Sequence, residues 1–70
     1  MQYTPINIKE NFIRLDAALK LSGKVSTGGH AKVVIQNGEV TVNGEICTMR
    51  GKKLFSGDRF EFENSGFEIE

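Results

Sequence analysis

Apolar residues along this chain recur first by alternation, then at three- and four-residue steps, then by alternation again, an order that predicts strand, paired helices and strands. Ile6 and Ile8 stand between polar neighbours and predict a short strand over residues 3–9, with Pro5 near its start, where a missing donor is tolerated. Leu15, Ala18 and Leu19 share one helical face, so a two-turn helix is expected over residues 14–22, with Gly23 at its end. Ala31, Val34 and Ile35 repeat that spacing and predict a second helix from residue 27 or 28 to 37, closed by Gly38. Val33 points roughly opposite this inner face, where a β-branched residue either packs under a neighbouring strand or marks a protein-contact patch.

From residue 40 the period returns to two. Val40 and Val42 flank Thr41, Asn43-Gly44 is a strong hairpin signal, and Ile46 begins the return strand. Ser56-Gly57-Asp58 marks a further turn. Phe60 and Phe62 then alternate with Arg59, Glu61 and Glu63 as a half-buried strand should, and Asn64-Ser65-Gly66 turns the chain into Phe67 and Ile69. The fold class is α+β: two short helices packed on a small, mainly antiparallel sheet. Phe12, Phe55, Phe60, Phe62 and Phe67 are expected mostly in the core, leaving no exposed aromatic pair of the kind used to stack single-stranded bases. Cys47 reads as a small packed side chain rather than a reactive thiol.

Seventy residues without an internal repeat or linker-like stretch predict a single domain over residues 1–70, burying roughly 60 % of its unfolded surface. No apolar run approaches the ~20 residues of a membrane span, and the first residues do not resemble a signal peptide; a cytoplasmic protein without membrane contact is expected. One cysteine allows no internal disulfide, and with a single histidine it argues against a zinc site, so neither metal nor cofactor is expected.

Formal net charge is zero, yet its distribution is uneven. Residues 1–53 carry eight Lys and Arg against four Asp and Glu, whereas residues 54–70 carry one against five. A basic face and an acidic C-terminal part on one small body follow.

The most informative stretch is residues 24–44, KVSTGGHAKVVIQNGEVTVNG. Ser26 and Thr27 are good N-cap residues for the second helix. Gly28 and Gly29 leave first-turn N–H groups bare and allow an anion to approach closely, with His30 and Lys32 alongside. A sugar-phosphate chain is the natural guest of such a helix start; the alternative is a capped helix that uses glycine for a tight interhelix turn. Lys24, Arg50, Lys52 and Lys53 cluster beside turns and read either as solvated charges or as further phosphate contacts. A return strand along residues 40–42 is expected to carry residues 50–53 near the start of the second helix. Arg14, which opens the first helix, either pairs with Asp16 or Glu10 or reaches the ligand, the latter being favoured.

The succession RLDAALKLSG, VSTGGHAKVVIQNGEVTVNG and GKKLFSGDRFEF resembles the small RNA-binding module named after ribosomal small-subunit protein four, the S-four domain, over residues 12–63. The paired glycines look most like the short stand-alone bacterial members of the YaaA/YbcJ type. The resemblance implies the alpha-L RNA-binding motif, in which the two helices and the Val-Asn-Gly turn form the binding surface. The larger family commonly has an arginine beside the helix start where this chain has Gly28, and another in place of Lys32, so two planar phosphate forks are missing here.

Binding of structured RNA without catalysis is therefore expected, with ribosomal RNA, transfer RNA or ribosomal particles as partners and the protein a monomer. The contacts proposed are Arg14, Lys24, Ser26, Thr27, Gly28, Gly29, His30, Lys32, Arg50, Lys52 and Lys53. The resemblance further implies a role in ribosome assembly or translation. An enzyme is disfavoured: His30 has no matching nucleophile or metal partner, and Glu61 and Glu63 read as the wet face of a strand. The competing reading is a protein-interaction adaptor that uses the acidic C-terminal strands.

Overall fold

In the computed structural model, which describes residues 2–70, the alternating and helical segments become seven strands and two helices. The first helix, α1, spans Leu15–Leu21 and buries Leu15, Ala18 and Leu19; the second, α2, spans Gly28–Gln36 and buries Ala31, Val34 and Ile35. These are the inward faces that the spacing predicts. Strands β1 (Tyr3–Ile6), β2 (Ile13–Arg14), β3 (Val40–Val42), β4 (Glu45–Ile46), β5 (Lys53–Leu54), β6 (Arg59–Phe62) and β7 (Ser65–Ile69) complete the chain.

Five of the strands form one sheet in the order β1-β7-β6-β3-β4. All neighbours are antiparallel except β1 and β7, which run parallel and bring the two ends of the chain together at one edge. Alternation assigns the two faces of this sheet. Val40, Val42, Phe60, Phe62, Phe67 and Ile69 point inward, and with the buried residues of α1 and α2 they form the core. Phe60 and Phe67 face each other across β6 and β7 with ring centroids 5.0 Å apart. Tyr3, Thr41, Arg59, Glu61 and Glu68 alternate with these inward residues and so belong to the opposite face.

Turn chemistry fixes the register. Asn43 and Gly44 adopt φ of 51° and 88°, the pair of left-handed residues that a two-residue hairpin needs. The Asn43 side chain reaches the next turn of the sheet: its Oδ1 accepts the Arg59 N–H at 3.0 Å, and its Nδ2 donates to Asp58 Oδ1 at 3.1 Å. The other oxygen of Asp58 accepts the Phe55 N–H at 2.8 Å. Two turns 15 residues apart are thereby clamped into one unit.

Four expectations need correction. The first strand ends at Ile6 rather than at residue 9, although the Ile8 N–H still donates to the Glu70 carbonyl at 3.3 Å. The last turn lies at Glu63 and Asn64, both at positive φ, so Ser65 and Gly66 belong to β7. A separate antiparallel ribbon, β2 with β5, was not expected. That ribbon corrects the aromatic core as well: Leu54 is fully buried and Ile13 packs beside the core, so alternation turns their neighbours Phe12 and Phe55 outward, 37 % and 49 % exposed. Val33 is also exposed and does not lie under a strand.

Candidate nucleic-acid interface

The two helices begin differently. At α1 the first N–H groups are taken by the protein itself: Leu15 donates to the Lys52 carbonyl at 2.9 Å, Asp16 to the Arg50 carbonyl at 3.1 Å, and Ala17 to Asp16 Oδ1 at 2.8 Å. At α2 the cap is Thr27, in extended conformation, whose Oγ1 accepts the His30 N–H at 3.0 Å while its carbonyl accepts that of Ala31 at 3.1 Å. The N–H groups of Gly28 and Gly29 have no partner among the described residues. No acidic side chain stands in that turn, so α2 itself does not compensate its positive end. Ser26, expected to share the capping, lies before the cap and is exposed.

Neither glycine is demanded by the fold. A Cβ at Gly28 would meet nothing within 4 Å, and one at Gly29 only Thr27 Oγ1 at 3.9 Å. His30 and Lys32 are exposed on the same helix. The free N–H groups are thus open to an approaching anion without obstruction from side chains.

Residues 50–53 dock on the start of α1 through the carbonyls just named, and β5 pairs with β2 so that Arg14 lies opposite Lys53. Arg14 forms the local pair, its Nη2 standing 3.3 Å from Asp16 Oδ2, yet its side chain remains 53 % exposed. Its guanidinium lies over Gly51, where an added Cβ would come within 3.4 Å of Nη2. Arg14, Asp16, Ala17, Lys20 and Gly28 line one open groove, which joins the start of α1 to the start of α2. The bonds to the Arg50 and Lys52 carbonyls place residues 50–53 against the start of α1, whereas the sequence reading expected them near the start of α2.

Not every expected contact converges there. Lys24 lines a different groove with Gln2, Ser22 and Asn64, and Lys52 lines a third with Asn43, Ile46 and Met49. Lys20 enters the joint groove although the sequence reading passed over it; its place one turn beyond Asp16 on the wet face of α1 is the signal that identifies it. Phe12 and Phe55 were misplaced into the core.

The opposite face of the sheet is self-paired. The Tyr3 hydroxyl donates to Glu61 Oε2 at 2.6 Å, Arg59 Nε donates to Glu68 Oε1 at 2.6 Å, and the Arg59 guanidinium lies 4.4 Å from the Tyr3 ring centroid. The hydrogen bond to Glu61, helped by burial and by the Glu61 charge, raises the Tyr3 phenol above its ordinary value near 10. Among the described residues no group of His, Cys, Asp and Glu is gathered to hold a metal, and no helix is long and apolar enough to cross a membrane.

The pattern of the S4 domain family matches residues 6–70. A Bacillus subtilis protein, described as a probable ribosome maturation protein RlbA, is 42 % identical over 62 residues, spanning 89 % of this chain and 87 % of that protein. The solution structure of YbcJ from E. coli, described as having an alfaL motif involved in RNA binding, aligns with TM-score 0.72 and 26 % identity over 99 % of this chain and 89 % of that one. Ribosomal protein S4e from Thermoplasma acidophilum shares the fold at TM-score 0.64 and 20 % identity, with 86 % of this chain covering 32 % of that longer protein.

Proposed function

Because the chain belongs to the S4 domain family, we propose that it binds structured RNA without catalysing a reaction, and that it acts on ribosomal RNA during ribosome maturation. The observation that carries this reading is the open start of α2, where Gly28 and Gly29 keep N–H groups without a partner among the described residues and Gly28 lines a groove with Arg14, Asp16 and Lys20, while the start of α1 is closed by its own chain. Backbone N–H groups and cations in that arrangement suit phosphate oxygens. Lys32, His30, Arg50 and Lys53 extend the contact, and Ser26 and Thr27 flank it. An A-form duplex hides its base edges in a deep groove, so a small basic surface reads backbone, 2′-hydroxyls and bends. The work belongs in the cytoplasm, where ribosomal particles are assembled.

Filter binding to ribosomal RNA and to duplex DNA across a salt series tests this. RNA preference with a log-log salt slope of roughly −2 to −5 is expected for about three to five phosphates. The double variant Lys32→Glu with Lys53→Glu, both at exposed positions, is expected to remove binding and leave the fold intact. Unchanged binding by that variant would displace the site, and no binding to either nucleic acid at low salt would overturn the reading.

A further inference from the structure

The β2–β5 ribbon turns one face to the core and the other to solvent. Its register pairs Ile13 with Leu54 and Arg14 with Lys53, so the next rung outward is Phe12 with Phe55. Side chains two residues apart share a face. The solvent face of the ribbon therefore alternates a cationic rung, Arg14 and Lys53, with an aromatic rung whose rings stand 6.0 Å apart and tilted by 50°. The Lys53 ammonium lies 4.8 Å from the Phe12 ring centroid and ties the two rungs together. Phe55 is the more exposed ring, and its backbone is held by the Asp58 carboxylate.

We propose that Phe55, flanked by Phe12, is a stacking platform for one unpaired nucleobase of the bound RNA, with Lys53 and Arg14 meeting the phosphates beside it. This rests on the RNA-binding reading above and adds single-stranded character to the ligand. A base offers a π-face to any aromatic ring, and a cation next to that ring meets the charge every nucleotide carries. Adjacent same-face rungs are about 7 Å apart, twice the strand rise, which suits the base and phosphate of neighbouring nucleotides. Charge complementarity favours this occupant over an apolar peptide, since among the described residues Asp16 is the one acidic side chain bonded to the cationic rung.

The test compares three RNAs: a blunt duplex, the same duplex with a short single-stranded uridine extension, and the same extension built from abasic nucleotides, which keeps the phosphates and removes the bases. Wild-type protein is expected to prefer the base-bearing extension over the abasic one by roughly 5- to 150-fold, the range of one stacked base. Phe55→Leu is expected to lose that preference while keeping its affinity for the blunt duplex and its salt slope, and Phe55→Trp to retain it. Equal wild-type binding to the two extensions, or a preference that survives Phe55→Leu and Phe12→Leu, overturns the platform and leaves backbone binding in place; such a result would point to a protein as the occupant of the rings. Failure to bind all three RNAs would instead remove the RNA-binding reading and the platform with it.

Discussion

Gly28 and Gly29 are the residues whose presence the fold explains least. Both sit in a helical turn with open space where a Cβ would go, and alanine there favours the helix. Gly28→Ala and Gly29→Ala are therefore expected to leave thermal stability unchanged or raise it by up to about 1 kcal/mol, while weakening RNA binding several-fold by crowding the free N–H groups. Unaltered affinity would mean that no phosphate sits on that backbone. Tyr3 gives a second residue-scale prediction. The folded state raises its phenol, so the stabilisation from the Tyr3–Glu61 bond is present throughout the range below about pH 10 and is lost as pH rises through the folded-state value. The chain has one tyrosine and no tryptophan, so tyrosinate absorbance reports this group alone. Its midpoint is expected above 10 and is expected to fall back toward 10 in Glu61→Gln.

Elements here depend on their junctions more than on their lengths. Strands of two to five residues are too short to stand alone, and β3, β4 and β6 are kept in register by the Asn43 and Asp58 turns. Asn43→Ala removes both side-chain bonds and places a Cβ-bearing residue without an amide at φ 51°. A loss of about 2–3 kcal/mol is expected, which for a chain of this size lowers the thermal midpoint by on the order of 10 °C. Asn43→Gly keeps the turn and loses only the bonds, so it should fall between the two in a melting experiment. The same clamp reaches Phe55 through Asp58, and turn chemistry thus positions a residue of the proposed interface.

Across the whole molecule two outward faces differ in charge balance. Glu61 and Glu68 occupy the outer face of the sheet, each already bonded within the chain, whereas Arg14 and Lys53 face outward from the ribbon at the start of α1. An adaptor using the acidic C-terminal strands would have Glu63 and Glu70, both exposed, as its remaining carboxylates. The shortest dimension of the molecule is 19 Å, more than two Debye lengths at physiological salt, where the screening distance is about 8 Å. Glu61→Gln with Glu68→Gln is therefore expected to change RNA affinity less than about twofold at physiological salt and to strengthen it only at about 0.01 M, where the Debye length grows to about 30 Å. A large loss of affinity at either salt would place the acidic face in the interface.

Local physics wrote much of this molecule into its sequence. Helical spacing alone determined which residues of α1 and α2 turn inward, the Asn43-Gly44 pair determined a hairpin, alternation around Phe60 determined the two faces of β6, and Thr27 followed by two glycines announced an open helix start. Each of these depends on residues within a few positions of one another. Tertiary structure decided what depends on distant partners. The ends of the chain pair in parallel through β1 and β7, Asn43 meets Asp58, and the carbonyls of Arg50 and Lys52 close the start of α1, whereas the first N–H groups of α2 find no partner among the described residues. The two-residue ribbon was too short to show a period in the sequence, and yet its register turned Leu54 into the core and sent Phe12 and Phe55 into solvent beside the cations. Hydrophobicity marks a residue as able to be buried; the pairing of strands brought from far apart decides which side of the ladder it occupies.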